Sequence, residues 1–209
     1  MHATWYFDFI SPFAYLQLPK ILALRDRLDI TPVPIVFGAV LAHHGQLGPA
    51  EIAGKREFTY RFVQWQAVRA GVPLRFPPAH PFSSLAALRL CVAGGSDWHA
   101  VTTIFDHLWR DGRSGADASD LAEPARALGV TDAAAAIAHG EVKARLRANT
   151  DEALAAGVFG VPMLRLGDSL FWGNDATPML EDWLATPELF ASAEYQRLAT
   201  LPAAVQRTR

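Results

Sequence analysis

The stretch "WYFDFISPFAYL" at residues 5–16 constrains the fold more than any other part of the chain. Residues 3–9 are apolar on both alternating positions, which is typical of a strand whose sheet is covered on both faces. Ser11-Pro12 follows, and proline favours the first turn of a helix. Apolar residues at helical spacing continue to Asp29, and "TPVPIVF" from Thr31 predicts a second strand, whose prolines indicate a sheet edge. The predicted order is β-α-β.

The middle of the chain predicts helices alone, and glycine or proline clusters separate most of them. The expected helices cover residues 51–70, 83–92, 98–109, 119–128 and 131–156. Near the C-terminus, "GVPMLRLGDSLFWGNDATPMLEDWLA" predicts a strand, a tight turn at Gly167-Asp168, a second strand and a helix that begins at Asn174 or Asp175. This last part of the chain therefore predicts β-β-α.

Together these elements predict an α/β fold, in which a thioredoxin-like domain of β-α-β and β-β-α halves carries a large all-helical insertion. We expect residues 1–37 and 158–209 to form the thioredoxin-like domain. Residues 38–157 are expected to form the helical insertion domain, with a connecting helix near its C-terminal end. A chain of 209 residues is long enough for this arrangement.

The charge balance argues against several kinds of partner. The chain has 19 Lys and Arg against 21 Asp and Glu and no basic run, so we expect no nucleic-acid binding. The N-terminal "MHATWYFDF" has no basic stretch before a long apolar run, and "ITPVPIVFGAVLA" is too short and too rich in proline to span a bilayer. These features predict a cytoplasmic protein without a membrane partner.

Cysteine and histidine usage predicts neither a disulfide framework nor a metal site. The single cysteine, Cys91, lies at helical spacing with apolar neighbours in "SSLAALRLCVAGG", which predicts a buried structural thiol. His43, His44 and His80 belong to no compact set of ligands, so we expect no bound metal.

Ser11 is a candidate for chemistry because it stands where a buried strand passes into a helix. The free N–H groups and the dipole of a helix N-terminus stabilise a thiolate placed there. Helix capping is the alternative role for this serine. Val161-Pro162 opens the third strand, and a cis bond would leave the Val161 backbone free to pair with a peptide-like ligand. A trans proline at a strand start is the ordinary alternative.

Asn174 and Asp175 stand at the start of the last predicted helix. A helix N-terminus binds carboxylates and an aspartate binds ammonium groups, so this pair suits an amino-acid head group. Ordinary N-capping is the alternative interpretation of both residues.

Four segments, in this order, carry a family resemblance: "YFDFISPFAYL", Gly48-Pro49, "FPPAHPF" and "GVFGVPMLRLGDSLFWGND". They span nearly the whole chain. The sequence resembles the 2-hydroxychromene-2-carboxylate isomerase family, which is similar to kappa-class glutathione transferases and, more distantly, to bacterial disulfide oxidoreductases of the thioredoxin superfamily.

The resemblance implies a glutathione-dependent isomerase of aromatic catabolism that assembles as a homodimer. Such an enzyme isomerises an aromatic unsaturated oxo acid, similar to 2-hydroxychromene-2-carboxylate, by reversible thiolate addition. Ser11 would be the catalytic residue that faces the glutathione sulfur. The glutathione-binding residues implied by the resemblance are Ser11, Val161, Pro162, Trp172, Gly173, Asn174 and Asp175.

The substrate side is predicted from aromatic and charged residues near the helical segment. The candidates are Phe13, Lys55, Phe58, Phe62, Trp65 and His80. Charges such as Lys55 and Arg56 are also typical of a solvated helix face. Two positions depart from the family pattern. Gln46 stands where members often carry asparagine, and Ala176 follows Asp175 where many carry arginine.

Three other functions compete with the isomerase. A kappa-class-like transferase would use the same activated sulfur to form stable glutathione conjugates. A non-catalytic glutathione-binding module would keep the fold without turnover. A disulfide oxidoreductase is excluded because Ser11-Pro12-Phe13-Ala14 stands where Cys-x-x-Cys would be needed.

Overall fold

A computed structural model describes residues 1–205 and contains a four-stranded sheet in the order β2-β1-β3-β4. The strands are β1 (His2–Phe7), β2 (Asp29–Pro34), β3 (Met163–Leu166) and β4 (Ser169–Trp172). β1 is parallel to β2 and antiparallel to β3, and β3 is antiparallel to β4. The α/β, thioredoxin-like fold is thus confirmed, with the proline-containing β2 at an edge. Residues 206–209 of the segment predicted at 158–209 lie outside the described residues.

Helices follow β1 and β2 and fill the chain up to β3. They are α1 (Pro12–Leu24), α2 (Phe37–His44), α3 (Lys55–Ala70), α4 (Leu85–Ala93), α5 (Trp98–Phe105), α6 (Ala122–Ala127), α7 (Ala133–Ala138) and α8 (Gly140–Ala155). A π-helical turn, Asp106–Arg110, continues α5. After β4 come α9 (Thr177–Ala185) and α10 (Ala193–Ala199). Short 3₁₀ turns cover Pro49–Glu51, Asn174–Ala176 and Pro187–Ala191.

β1 is covered on both faces, as its apolar sequence predicts. Trp5 and Phe7 belong to the larger hydrophobic core, whereas Tyr6 points into a smaller core on the other face. The rings of Trp5 and Phe7 stack with centroids 4.7 Å apart. Phe9, just beyond the strand, lies 4.6 Å from Phe105 of α5. The helical segment, residues 38–157, therefore supplies side chains to the same core as the sheet.

Three predicted helices are shorter than expected, and the one predicted over residues 119–128 is reduced to α6 (Ala122–Ala127). α1 ends at Leu24 and not at Asp29, because Asp29 already pairs with His2 in the sheet. Leu28 is buried in the connecting turn. Its position continues the helical spacing of apolar residues although it lies outside the helix. The helix predicted from residue 51 begins at Lys55, because Gly54 takes a left-handed backbone conformation with φ of +76°.

The single helix predicted over residues 131–156 is wrong, because α7 and α8 are separate helices. The Asp132 carboxylate caps α7 by accepting from the Ala135 N–H at 2.9 Å. His139 is extended, with ψ of 137°, and α8 begins at Gly140. α2 was not predicted, since Val40 is its only buried residue and gives a weak periodic signal.

The predicted buried thiol is confirmed. Cys91 is fully buried in α4, and burial raises the pKa of this thiol to about 12. Within residues 1–205, no group of three or more His, Cys, Asp or Glu side chains is arranged to hold a metal ion. None of the helices formed by these residues has the length and apolar character needed to cross a membrane.

Candidate active site

The sheet brings the predicted site segments together at one end of its strands. Tyr6, near the end of β1, pairs with Met163 at the start of β3, and Met163 pairs with the last residue of β4. The Ser11 loop follows β1, Val161-Pro162 precedes β3, and Trp172–Asp175 closes β4. These segments are far apart in the sequence. The strand register therefore places them at the same end of the sheet.

The Ser11 side chain caps α1, and its hydroxyl hydrogen forms no hydrogen bond among the described residues. Its side chain is 7% exposed, and Oγ accepts a hydrogen bond from the Ala14 N–H at 3.3 Å. In the described part of the chain, neither the Ser11 hydroxyl hydrogen nor the Phe13 N–H is donated to an acceptor. The capping role of Ser11 is thus confirmed, and its hydroxyl hydrogen is still available.

Asp8 fixes the loop that carries Ser11. Its carboxylate accepts from the Ile10 N–H at 3.0 Å and from the Phe37 N–H at 2.8 Å, and its carbonyl accepts from the Ser11 N–H at 3.0 Å. Burial raises the pKa of the Asp8 carboxyl, and hydrogen bonds from Ser84 and from backbone N–H groups oppose that rise. The loop is therefore tied to both the strand end and the start of α2.

Two side chains from the helical segment hold the carbonyls of the same loop. The Trp109 indole N–H donates to the Phe9 carbonyl at 2.8 Å. His80 Nε2 lies 2.9 Å from the Ile10 carbonyl, which can only accept, so Nε2 carries the proton. Nδ1 lies 2.9 Å from the Tyr60 hydroxyl. His80 was predicted to contact substrate; in the structure its Nε2 holds the Ser11 loop and its Nδ1 faces Tyr60 of α3.

Replacing His80 with glutamine should flatten the acid dependence of stability. Burial, helped by the positive charge of Arg56, lowers the pKa of His80 below its ordinary 6.5. As the pH falls, the unfolded chain therefore takes up this proton before the folded protein does. His80 thus costs stability increasingly below about pH 6.5. Urea unfolding should show a smaller loss between about pH 7.5 and pH 5.5 in His80→Gln than in the wild type.

The exposed His139 provides the control, because His139→Gln should retain the wild-type pH dependence. If His80→Gln and the wild type lost the same stability over this range, the role of the buried imidazole would be contradicted.

The Val161-Pro162 peptide bond is cis, which is the alternative that would free the Val161 backbone for a ligand. No hydrogen bond within residues 1–205 uses the N–H or the carbonyl of Val161. The next carbonyl, that of Pro162, accepts from the Gly173 N–H at 2.9 Å and so ties this segment to the end of β4. The structure thus leaves the Val161 backbone groups free, as the predicted peptide-binding edge requires.

Gln17 was not predicted as a site residue, yet it holds the Trp172–Asp175 segment against α1. The Trp5 indole N–H donates to Gln17 Oε1 at 2.8 Å, which fixes the orientation of the amide. Gln17 Nε2 then donates to the Gly173 carbonyl at 2.9 Å and to Thr177 Oγ1 at 3.2 Å. The only sequence signal was a polar residue within the apolar stretch "AYLQLPKIL".

Asn174 and Asp175 have different surroundings. Asn174 is 7% exposed, its Nδ2 donates to Gln66 Oε1 at 3.2 Å, and its Oδ1 has no partner in the described residues. Asp175 is exposed, and its carboxylate lies over Gly173, where an added Cβ would come within 2.7 Å of Oδ1. Glycine is needed at 173 also because its φ is +91°. Trp172, beside them, packs edge-to-face on Phe159.

Four of the predicted substrate residues form a continuous aromatic row. Phe13 lies 6.4 Å from Phe62, and Phe62 stacks on Phe58 at 5.7 Å and on Trp65 at 5.8 Å. Phe58 is 61% exposed and Trp65 is 52% exposed, so the row is an open face and not the wall of a closed cavity. Lys55, the first residue of α3, is exposed.

The two departures from the family pattern lie in different environments. Gln46 is exposed just after α2. Ala176 is half-buried and packs against the larger hydrophobic core.

A serine at the head of α1 and a cis proline before β3 define a thioredoxin-like protein that lacks the paired cysteines of a disulfide oxidoreductase.

Residues 4–185 match the DSBA-like thioredoxin domain, and the chain belongs to this family. It is 31% identical to the 2-hydroxychromene-2-carboxylate isomerase of Sphingobium xenophagum, over 86% of this chain and 96% of that protein. It is 29% identical to glutathione S-transferase kappa 2 of Caenorhabditis elegans, over 88% and 91% of the two chains. A solved structure of a 2-hydroxychromene-2-carboxylate isomerase superimposes with a TM-score of 0.77 at 26% identity, covering 92% of this chain and 100% of the other.

Proposed function

We propose that the protein is a glutathione-dependent isomerase of an aromatic unsaturated oxo acid similar to 2-hydroxychromene-2-carboxylate. One feature of Ser11 carries this proposal: its oxygen caps α1 while its hydroxyl hydrogen has no acceptor in residues 1–205. A serine here can donate to a thiolate but cannot form a disulfide, so the sulfur has to come from a ligand. The names of the Sphingobium and kappa-class relatives support both parts of the proposal.

The residues at the sheet edge fit a γ-glutamyl peptide thiol. The unused N–H and carbonyl of Val161, beside the cis Pro162, can pair with an extended peptide. Asp175 is exposed and has no internal ion pair among the described residues, so it can receive the ligand's α-ammonium. The buried Asn174 holds the turn in place through Gln66.

The chain itself supplies two effects that favour a thiolate at Ser11. The Ser11 hydroxyl donates to the sulfur, and the N-terminus of α1 places a partial positive charge beside it. Bound glutathione supplies a nucleophilic sulfur that can add to a conjugated carbon and leave again after bond rotation. Asp8, Trp109 and His80 keep the Ser11 loop in position for this task.

We assign the substrate side to the aromatic row of Phe13, Phe62, Phe58 and Trp65. The row begins two residues after Ser11 and offers exposed ring faces on which an aromatic substrate can stack. Lys55, at the start of the same helix as three of these rings, supplies a positive charge suited to the carboxylate of an oxo acid.

Replacing Asp175 with alanine should weaken glutathione binding about tenfold or more. The reason is that a charge-assisted hydrogen bond to the ligand's ammonium is lost. Isothermal titration calorimetry measures the change. Asp182→Ala, which removes another exposed carboxylate from α9, is the control and should bind glutathione like the wild type. Equal affinities of Asp175→Ala and the wild type would rule out the assigned contact.

The proposed reaction is tested by following substrate and free thiol together. With 2-hydroxychromene-2-carboxylate and glutathione, we expect isomerised product and an unchanged thiol concentration. Loss of one thiol per product molecule would instead identify a kappa-class-like transferase, the second candidate because its relative matches 88% of this chain. Tight glutathione binding without turnover of any unsaturated oxo acid would indicate a non-catalytic binding module.

A further inference from the structure

Lys20 places a positive charge beside the Asn174–Asp175 turn. It lies in α1, one helical turn after Gln17, and is half-buried. Its Nζ donates to the Asn174 carbonyl at 3.3 Å. Among residues 1–205 no carboxylate forms an ion pair with it. An ammonium group has three donors, so donors remain for a ligand.

The contact with Asn174 does not by itself account for a lysine at this position. The Asn174 carbonyl already accepts a shorter hydrogen bond, 2.9 Å long, from Thr177 Oγ1. Gln17 separately holds the neighbouring Gly173 carbonyl at 2.9 Å. The turn is therefore anchored without Lys20, and no carboxylate of the described residues pairs with the charge of Lys20.

Asp175 provides the opposite charge on the same turn. Its carboxylate lies over Gly173, and Lys20 reaches the carbonyl of Asn174, so both charged groups flank the Gly173–Asn174 backbone. The two side chains do not form an ion pair with each other. A ligand that carries an ammonium and a carboxylate on one carbon would complement both charges.

We propose that Lys20 binds the α-carboxylate of the ligand's γ-glutamyl group, while Asp175 receives the α-ammonium. This role rests on the proposed glutathione site and names the residue that gives the site its selectivity for a complete α-amino-acid head group. Lys20 is then a specificity-determining residue, although it was not among the residues predicted from the sequence.

The test compares two ligands and two lysine variants by isothermal titration calorimetry. The ligands are glutathione and 4-aminobutyryl-cysteinylglycine, which lacks only the α-carboxylate. Lys20→Met should bind glutathione about tenfold more weakly than the wild type, and the analogue with less than about a twofold change. Lys143→Met, which removes an exposed lysine from α8, should bind both ligands like the wild type.

Each other outcome overturns the assignment. Equal losses for both ligands in Lys20→Met would mean that Lys20 only positions the turn, and no loss would mean that it does not act at the site. Lys20→Arg, which keeps the charge, should retain most of the affinity, and this excludes a general folding defect.

If the wild type fails to bind glutathione, the proposed function fails as well. If the wild type binds and Asp175→Ala weakens binding while Lys20→Met does not, only the role of Lys20 is lost.

Discussion

Replacing Ser11 with alanine is expected to lower activity at neutral pH by about tenfold to twentyfold while keeping most of the glutathione affinity. A thiol with its ordinary pKa of about 8.5 is mostly protonated at neutral pH. One hydrogen bond to an anion contributes about 1.5–3 kcal/mol, which corresponds to about one to two pKa units. Val161 and Asp175 are untouched by the substitution and should still hold the peptide.

Thiolate absorbance of the bound ligand, titrated against pH, measures this effect directly. The titration of Ser11→Ala should move towards the value of free glutathione. Because Ser11 also caps α1, the variant should lose about 1 kcal/mol of stability. Asp132→Ala removes a comparable cap from α7 and is the matched control, with reduced stability but wild-type titration and activity. Coincident curves and intact activity in Ser11→Ala would reduce Ser11 to a helix cap.

Trp109→Ala should cause the largest loss of stability, about 3–5 kcal/mol. Trp109 is fully buried in the larger core, next to Phe76 and Phe82, and its indole N–H bonds to the Phe9 carbonyl. The substitution opens a cavity and leaves a buried carbonyl without its donor. Because this core joins β1 to the helical segment, we expect one cooperative unfolding transition in urea for both parts.

Trp109→Phe separates the two contributions, because it keeps an aromatic ring and removes the donor. We expect it to cost about 1–3 kcal/mol. Trp65→Ala is the control, since Trp65 is 52% exposed and its replacement should change the free energy of unfolding by about 0.5 kcal/mol or less. Separate transitions for the two parts of the chain, or a Trp109→Ala variant as stable as Trp65→Ala, would contradict the shared core.

Sequence patterns predicted the parts of the fold that depend on local chemistry. The apolar run of β1, the Gly167-Asp168 turn and the proline-marked edge strand each have a local physical cause, and each was confirmed. The division of 131–156 into α7 and α8 was missed because alanine-rich sequence favours an unbroken helix. α7 packs against α4, a contact between distant parts of the chain that no local pattern contains.

The candidate site likewise has residues that local sequence predicts and contacts that it does not predict. Ser11, Val161 and Asp175 were predicted as candidates because they stand at the ends of elements, where backbone groups or charges are left for ligands. The contacts of Lys20 and Gln17 with the turn after β4 were not predicted, because those partners are more than 150 residues away in the sequence. Only the packing of α1 against the turn after β4 reveals these contacts. The homodimer and the cytoplasmic location stay predictions.

The central claim is that glutathione binds with its sulfur beside Ser11, and a crystal structure of the protein with bound glutathione tests it most directly. We predict the sulfur within hydrogen-bond distance of Ser11 Oγ, the peptide paired with the backbone of Val161, and the γ-glutamyl ammonium at Asp175. A sulfur directed away from Ser11, or a tripeptide bound at another surface, would contradict the claim.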